Sequence, residues 1–340
     1  MLSVLLLLGG LAPALAAGPH WTYEGPHGQH HWHEAHPECG GRAQSPIDIA
    51  TARAQHDPSL PPLLPEGYEH PESPQLTLAN NGHTAVLALP QSLRLRGLPS
   101  AFAAVQLHFH WGRPRNAAGA EHLLDGHRAP AEMHVVHFDT ERFADASAAQ
   151  PHPGGLAVLG VLLEVGDDPH PAYDNILRHL GSIRYAGQTV AIPSFSIREL
   201  LPEHLERYYR YNGSLTTPPC SQSVLWSLLP QPVRISRAQL EQLQGSLYST
   251  EEGQEEPQLL VDNFRAPQKL NQRPVLASFP RGERRGEVIA ISFGVLAGCV
   301  ALFLAIHFGA KRMRERRAQA QDVVFKASSR HLPVDTGHSR

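Results

Sequence analysis

The run Gln106-Leu107-His108-Phe109-His110-Trp111 alternates polar and apolar side chains, which predicts a β-strand with one buried face. Residues two apart on a strand point to the same side, so His108 and His110 can reach one point in space. His134, in the run Glu132-Met133-His134-Val135-Val136-His137, would add a third imidazole from a neighbouring strand. Three neutral nitrogen ligands hold Zn²⁺ and leave its fourth tetrahedral position open, which is typical of a catalytic zinc site.

The residues two positions before these histidines favour a metal site. A His-x-His pair in a chain with 22 histidines also arises by chance or on a surface. Gln106 and Glu132, however, share the strand faces of His108 and His134, and a ligating imidazole needs a hydrogen-bond partner on its other nitrogen. Glu132 lies in an apolar strand, where an unpaired carboxylate would be costly. The alternative is that both are ordinary polar residues of half-buried strands.

The composition suits a globular domain with appendages, since 41% of the 340 residues are hydrophobic and 18% are charged. Short apolar runs predict strands at 76–78, 85–89, 104–110, 133–138, 156–165 and 224–229. Short helices are predicted at 172–180 and 237–243. The chain is therefore expected to be mixed α/β and mainly β.

Two apolar segments frame this domain. Residues 2–17 end in small residues, which predicts a signal peptide at 1–17, although no Lys or Arg precedes the run and a signal anchor is the alternative. Residues 288–310 contain no Asp, Glu, Lys or Arg, and are long enough to cross about 30 Å of hydrocarbon. We predict a catalytic or binding domain at 18–280, a linker at 281–287, a transmembrane helix at 288–310 and a basic tail at 311–340.

The charge divides along the chain. The tail carries eight basic and three acidic residues, a net charge of +5, and since the whole chain carries −3, the part before the tail carries −8. Basic residues directly after an apolar span favour a cytoplasmic tail, and this tail is expected to contact anionic membrane lipid. An acidic ectodomain argues against a nucleic-acid partner. Gly294 and Gly298 are spaced for helix packing, although glycine is common in membrane helices.

Six motifs, in one order and spacing, resemble the alpha-class carbonic anhydrases. They are Ala43-Gln44-Ser45-Pro46-Ile47-Asp48-Ile49, Asn80-Asn81-Gly82-His83, Gln106 to Gly112, Ala120-Glu121-His122, Glu132 to His137, and Ser214-Leu215-Thr216-Thr217-Pro218-Pro219. The match runs from about His20 to Phe279. Each motif alone is weak, but six in register are specific.

The resemblance implies a large twisted, mostly antiparallel central sheet with short peripheral helices. It implies zinc-dependent, reversible hydration of carbon dioxide to bicarbonate and a proton, through a zinc-bound hydroxide. The zinc ligands would be His108, His110 and His134, with Asn263 among the residues that support them. Thr216 would orient the hydroxide and donate a hydrogen bond to Glu121. Taken alone, Thr216 and Thr217 before a Pro-Pro pair would indicate a structural loop.

The resemblance also assigns a substrate wall and a proton exit. The wall residues are Val136, Val158, Leu215, Val224 and Trp226, with Thr216 and Thr217 beside them; their spacing alone indicates only buried strands. His83 matches the family's proton shuttle, with Tyr23 and Asn81 ordering the intervening water. A histidine after Asn-Asn-Gly is otherwise a turn residue. Val86 departs from the family, which places a polar residue there, and this puts the efficiency of proton transfer in doubt.

The predicted topology places Cys39 and Cys220 outside the cell and Cys299 in the membrane. Two cysteines in an oxidising compartment indicate one disulfide, and the secreted and membrane members of the family pair these two positions. Asn212 begins a glycosylation sequon. The histidines at 30, 31, 33 and 36 are interpreted as surface decoration, with a second metal site as the alternative.

The combined prediction is a single-pass type I enzyme of the plasma membrane with an extracellular catalytic domain. The rival is an acatalytic, carbonic-anhydrase-like binding module at the cell surface; such relatives lack one or more zinc histidines, and all three are present here. Association with bicarbonate or proton transporters is compatible with catalysis.

Overall fold

The computed structural model describes residues 21–115, 118–280 and 302–317. The described residues up to Pro280 belong to one compact unit, and residues 302–317 belong to another. The predicted signal peptide and linker lie outside the described residues, as do 288–301 of the predicted span and 318–340 of the tail. Residues 302–317 are helical. Within the described ranges, no helix combines the length and the apolar character that crossing a membrane requires.

The first unit is built mainly of β-strands. The strands are β1 (Asp48–Ile49), β2 (Gln55–His56), β3 (Leu64–Glu66), β4 (Gln75–Asn80), β5 (Ala85–Ala88), β6 (Arg94–Arg96), β7 (Phe102–Trp111), β8 (Leu123–Leu124), β9 (His127–Arg128), β10 (Ala131–Asp139), β11 (Leu156–Gly166), β12 (Thr189–Pro193), β13 (Tyr209–Gly213), β14 (Val224–Ser236) and β15 (Leu276–Ala277). The helices are α1 (Trp32–Ala35), α2 (Ala146–Ala149), α3 (Pro171–Leu177) and α4 (Arg237–Gly245).

Most strands join one large sheet with the order β12-β4-β5-β7-β10-β11-β14-β13-β15-β2, and β6 pairs with β7 and β3 at its side. Strand β11 runs parallel to β14, and β15 runs parallel to β2; the other described pairs of this sheet are antiparallel. Strands β1, β8 and β9 form a separate small sheet. The prediction of a mainly β, mostly antiparallel architecture with few short helices is confirmed.

Alternation along the central strands divides their side chains between two cores. On β7, Leu107 and Phe109 belong to the larger core on one face of the sheet, and on β10 so do Met133 and Val135. Val136 belongs to the second core, on the opposite face. Because strand residues alternate, Gln106, His108 and His110 of β7 and Glu132 and His134 of β10 lie on the face of the second core. His137 of β10 lies on the other face, where its Nε2 meets the hydroxyl of Tyr68 in the larger core.

Strand β14 continues to Ser236, whereas the sequence predicted a strand that ends at Leu229. Pro230 and Pro232 follow, and proline disfavours a central strand since it lacks a backbone N–H. The structure accommodates them at a register shift against β11: Val161 pairs with Leu229, but Leu163 pairs with Val233. The extra residues bulge out of the ladder, and pairing then resumes.

Both predicted helices form. Helix α3 ends at Leu177, earlier than predicted, and a 3₁₀ turn follows at Leu180–Ile183. Helix α4 begins with a capping box, in which the Ser236 side chain accepts from the Gln239 backbone and the Gln239 side chain accepts from the Ser236 backbone. Pro171 at the start of α3 costs no hydrogen bond there.

A disulfide joins Cys39 to Cys220, as predicted. Both cysteines pack with three aromatic residues, here called the aromatic cluster: buried Trp32 and half-buried Trp21 and Tyr23. This small third core fastens the amino-terminal segment to the loop that carries Thr216.

Replacing both half-cystines, as Cys39→Ser with Cys220→Ser, should lower the free energy of unfolding. The crosslinked residues are 181 positions apart, and closing so long a loop stabilises by roughly 4–5 kcal/mol in the chain-entropy model. Urea denaturation of the purified protein measures the change. The single variant Cys299→Ser is the control and should denature as the parent does; equal stability of the double variant would contradict the prediction.

Candidate metal centre

The histidine faces of β7 and β10 meet directly. His108 lies opposite His134 in the antiparallel ladder, and His110 lies opposite Glu132. The ring centroid of His108 is 5.0 Å from that of His110 and 5.1 Å from that of His134. The centroids of His110 and His134 are 4.5 Å apart. The three side chains each offer a nitrogen within 4.8 Å of the others.

The hydrogen bonds of the three rings fix which nitrogens point inward. His108 Nδ1 lies 2.9 Å from the Gln106 Oε1 atom, and His110 Nδ1 lies 2.7 Å from the Asn263 carbonyl oxygen. His134 Nε2 lies 2.7 Å from Glu132 Oε1. Each partner is an oxygen that accepts, so each of these nitrogens carries the proton. His108 Nε2, His110 Nε2 and His134 Nδ1 therefore present lone pairs to a common point.

This donor set fits a tetrahedral metal. His110 Nε2 and His134 Nδ1 are 3.1 Å apart, and neither can donate to the other in these tautomers. Two lone pairs at that distance repel unless a cation lies between them. Zinc–nitrogen bonds of 2.0–2.1 Å in a tetrahedron put ligand nitrogens roughly 3.3 Å apart. Burial lowers the pKa of His110 to about 4, and it also lowers the pKa values of His108 and His134. All three are neutral at neutral pH, as metal ligation requires.

Glu132 is the most heavily used side chain of the site. Its Oε1 accepts from His134 and from His122 Nδ1 at 2.7 Å, and its Oε2 accepts from the backbone N–H groups of Glu121 and His122 at 2.9 and 2.8 Å. Burial opposes its ionisation, yet His122 and His134 hold the pKa of this carboxyl well below its usual range. Glu132 thus remains a carboxylate in the core and fixes the ring of His134.

His122, Glu132 and His134 form a second group of potential metal ligands among the described residues. Both nitrogens of His122 and both oxygens of Glu132 are already paired, however, and His134 Nδ1 faces His110 instead. His122 Nε2 lies 2.6 Å from the Tyr211 hydroxyl, which donates to Ser45 Oγ at 2.9 Å. The group is therefore a hydrogen-bonded chain behind the three histidines, with no lone pair of His122 left for a metal.

Glu121 is buried beside His110 and His134. Its Oε1 accepts from the backbone N–H of Arg265 at 2.8 Å, and its Oε2 lies 3.5 Å from His110 Nε2. Burial raises the pKa of Glu121 to about 7, and contact with the Thr216 side chain lowers it in part. Among the described residues, Oε2 has no hydrogen-bond partner. A buried acceptor of this kind needs a donor, and the Thr216 hydroxyl beside the carboxyl can supply one.

The loop that carries buried Thr216 is held at both ends. The Ser214 hydroxyl oxygen accepts from the Ser45 backbone at 2.9 Å, and the Ser214 carbonyl accepts from Trp226 Nε1 at 3.0 Å. Beyond Thr216, the Cys220 carbonyl accepts from Gln44 Nε2 at 3.1 Å, next to the disulfide. Thr217, half-buried, closes a turn in which its carbonyl accepts from the Cys220 backbone.

The predicted wall residues converge. Val136 lies opposite Val158, and Val158 lies opposite Trp226, on three adjacent strands. All of them, with Val224 and the half-buried Leu215, belong to the second core. The Trp226 ring lies 4.8 Å from the ring of His134, centroid to centroid. An apolar surface therefore adjoins the convergent nitrogens.

His83 lies in a turn between β4 and β5. The Asn81 side-chain oxygen accepts from the backbone N–H groups of His83 and Thr84, both at 2.9 Å, so Asn81 shapes this turn. The imidazole of His83 stacks on the indole of Trp21 with the ring centroids 3.8 Å apart. Tyr23 belongs to the same aromatic cluster; burial, and then the Glu121 charge, raise its pKa, so its hydroxyl stays protonated.

Val86 lies on β5 directly opposite His108, half-buried. Val86 therefore borders the metal centre. Asn212 is exposed on β13, where a glycan has room. The histidines at 30, 31, 33 and 36 do not converge, since within the described residues only the two groups above bring three ligating side chains together. His31 instead pairs with Glu34 at 2.9 Å.

Sequence reasoning assigned no role to several residues that hold the site, among them His122, Tyr211, Arg265 and Gly160. Gly160 lies opposite His134, and a Cβ there would fall 2.7 Å from the Leu228 side chain and 3.1 Å from Glu132 Oε1. Glycine thus leaves room for the buried carboxylate. Only His122 carried a signal, as a second histidine beside a buried acid; the contacts of the others come from distant segments.

Comparison with known proteins agrees with this geometry. Residues 27–279 match the family described as eukaryotic-type carbonic anhydrase. The chain is 39% identical to carbonic anhydrase 12 of Homo sapiens over 338 residues, which covers 97% of this chain and 95% of that protein. It is 37% identical to carbonic anhydrase 6 of Homo sapiens over 83% of this chain and 90% of that protein, and 39% identical to carbonic anhydrase 7 of Mus musculus over 76% and 97%. The chain therefore belongs to the eukaryotic-type carbonic anhydrases and is an enzyme of that family.

Proposed function

We propose that this protein hydrates carbon dioxide reversibly to bicarbonate and a proton in a zinc-dependent reaction. The observation that carries the proposal is the convergence of three imidazole lone pairs, each fixed by an acceptor behind the ring. His108, His110 and His134 would hold the zinc. Zinc in such a site lowers the pKa of a bound water to about 7, a value established with carbonic anhydrase itself.

Thr216 and Glu121 would orient the attacking oxygen. The Thr216 hydroxyl lies beside the Glu121 carboxyl and can donate to it, which leaves its own lone pairs to accept a proton from the nucleophile. A lone pair of the nucleophile then faces the substrate. The partly open Glu121 Oε2 supports this role.

Carbon dioxide is apolar and needs no hydrogen-bonding cradle. The apolar wall next to His134 would hold it, and the backbone N–H of Thr216, with Thr217 beside it, would help bind the bicarbonate product. The proton would leave through ordered water to His83, because histidine side chains in general titrate near pH 6.5 and can pass protons in both directions near neutral pH. Tyr23 and Asn81 would order that water, and Val86 would make the water path less continuous.

We further propose that the catalytic domain lies outside the cell on a single membrane span. The opening Trp21 to Gly28 and the flanking apolar segments resemble the transmembrane isozyme carbonic anhydrase XIV. The disulfide supports an oxidising compartment. Membrane lipid would contact the basic tail, Asn212 would carry glycan, and bicarbonate or proton transporters would be natural neighbours. The acatalytic alternative is disfavoured because every ligand and its support are present.

The variant His110→Ala should lose zinc and activity. Even removal of an outer hydrogen-bond partner costs about 10- to 100-fold in metal affinity, so removal of a ligand should cost at least as much. Competition with a chelator and metal analysis measure the loss. His127→Ala, an exposed histidine on β9, is the matched control and should keep stoichiometric zinc. Stoichiometric zinc retained in the His110 variant would contradict the site of three histidines.

The variant His83→Ala should lower kcat at saturating carbon dioxide in weak buffer, on the order of tenfold, because the proton loses its carrier. The ratio kcat/KM should barely change, because it covers only substrate binding and the hydration step, which precede release of the proton. Imidazole buffer should restore much of kcat. His152→Ala serves as control for the loss of a histidine. Equal losses in both kinetic terms without rescue by imidazole would remove His83 from this role.

Topology is tested on intact cells. An antibody against residues 320–340 should label cells only after permeabilisation, and Asn212→Gln should remove a glycan-dependent mobility shift. Labelling of intact cells would reverse the proposed orientation.

A further inference from the structure

The segment of residues 21–29, here called the strap, lies beside His83. Within it, Trp21 stacks on the His83 imidazole with an angle of 8° between the rings. Trp21 also meets Tyr23 and Trp32 edge to face, with centroids 5.3 and 5.2 Å away. The orientation of the His83 ring therefore depends on where the strap lies.

The strap is a closed loop. The Thr22 N–H donates to the His27 carbonyl at 3.0 Å, and the Gln29 N–H donates to the Tyr23 carbonyl at 3.3 Å. The turn between them is tight, since a Cβ on Gly28 would fall 2.9 Å from the Glu24 backbone. The backbone of Gln29 is thus bonded directly to Tyr23, and the loop moves as one piece.

The side chain of Gln29 attaches this loop to the rest of the domain. Its Oε1 accepts from the Ala266 N–H at 2.8 Å, and its Nε2 donates to the Phe264 carbonyl at 3.3 Å. The side-chain amide thus bonds the Ala266 N–H and the Phe264 carbonyl, two backbone groups that a neighbouring β-strand could also bond. Gln29 stands 235 positions from Phe264 in sequence, so this is a tertiary contact and not part of the local turn.

The stretch that receives Gln29 also holds His83. Asn263 Nδ2 donates to the His83 carbonyl at 3.0 Å, and the Asn263 carbonyl accepts from His110 Nδ1. Residues 263–266 therefore fix the backbone of His83 through Asn263 and the aromatic surface under its ring through Gln29. The attachment points at Asn263 and Ala266 are three residues apart, so the same short segment positions both the His83 ring and the Trp21 ring under it.

A second attachment of the strap is weaker. Arg113 Nη2 lies 3.2 Å from the Glu24 carboxylate, but these side chains are 58% and 69% exposed. An exposed ion pair contributes little because water screens it and both side chains lose freedom. The half-buried Gln29 amide makes two hydrogen bonds to the backbone, one part-buried and one exposed, and these are firmer than the exposed ion pair. Trp32 Nε1 also donates to the Thr22 carbonyl at 2.8 Å.

We propose that Gln29 is a positioning residue for proton exit: it fixes the strap so that Trp21 and Tyr23 order His83 and the water beside it. The inference rests on the proposed shuttle role of His83. Without the Gln29 side chain, the strap keeps the hydrogen bond from Trp32 Nε1 to the Thr22 carbonyl and its packing in the aromatic cluster, but it loses its attachment to residues 264 and 266. The imidazole then spends less time in the orientation that passes protons outward.

The test is Gln29→Ala in the full-length zinc enzyme. In weak buffer, kcat should fall about fivefold while kcat/KM stays constant, because misplacement affects the proton step and not the hydration step. Imidazole should restore kcat. In proton NMR spectra, the His83 ring signals should lose part of the ring-current shift that the stacked indole imposes. Gln29→Glu keeps the hydrogen bond from the Ala266 N–H but loses the donor to the Phe264 carbonyl. Its kcat should therefore lie between those of the parent enzyme and Gln29→Ala.

The matched control is Gln268→Ala. Gln268 Nε2 donates to the Ala266 carbonyl at 2.8 Å, on the same stretch, but among the described residues its side chain makes no hydrogen bond to the strap. Its removal should leave kcat and the His83 signals unchanged. A general loosening of residues 263–268 would instead affect both glutamine variants alike and would overturn the specific role of Gln29.

The double variant Gln29→Ala with His83→Ala separates the two proposals. If both hold, it should be no slower than His83→Ala alone. If His83→Ala leaves kcat unchanged, the shuttle proposal fails, and the NMR signals alone then decide whether Gln29 places the ring. The shuttle stands but the positioning role of Gln29 is wrong if His83→Ala slows the enzyme and Gln29→Ala gives either of two results. The first is an unchanged kcat with unchanged His83 signals, and the second is an equal loss in kcat and kcat/KM.

Discussion

The structure depends on three nitrogen lone pairs that face one another in a low-dielectric core. Without a fixed orientation, each imidazole would turn a nitrogen toward any available donor. The acceptors behind the rings prevent this: an amide oxygen for His108, a backbone carbonyl for His110 and a carboxylate for His134. Each acceptor requires a proton on the outer nitrogen and so leaves the inner one bare. Much of the surrounding polar network serves to keep these acceptors in place.

Glu132 shows how far that support extends. A buried carboxylate is stable only when its lone pairs are filled, and here they are filled by two imidazoles and two backbone N–H groups. The network then continues through His122 and Tyr211 to Ser45, which also accepts from the Ser214 backbone. The rigidity of a metal ligand and the position of the Thr216 loop are thus connected through one chain of hydrogen bonds.

The sequence predicts those parts of the molecule that depend on local periodicity. Alternation along β7 and β10 is enough to place Gln106, His108 and His110 on one face, and apolar runs are enough to find the central strands. It fails where distant segments decide the structure. Strand β14 continues through Pro230 because β11 accommodates a bulge, and β13 is too short and polar to stand out. Nothing near Arg265 in sequence indicates that its N–H binds Glu121.

The same face of the sheet combines opposite demands. The polar ends of β7 and β10 meet the apolar residues of β11 and β14, and this boundary is what a nonpolar substrate beside a cation requires. Val86, on β5 opposite His108, adds one more apolar side chain next to the polar residues of β7.

The stretch at residues 263–266 forms neither helix nor strand, yet it contacts His110, Glu121, His83 and Gln29. Its partners lie between 144 and 237 positions earlier in the chain. During synthesis, the histidine strands therefore leave the ribosome long before the segment that fixes the tautomer of His110. A nascent chain halted before residue 263 has every ligand, and the acceptors of His108 and His134, but lacks the acceptor of His110. Assembly of the centre must be among the last events of folding, when the most non-local contacts close.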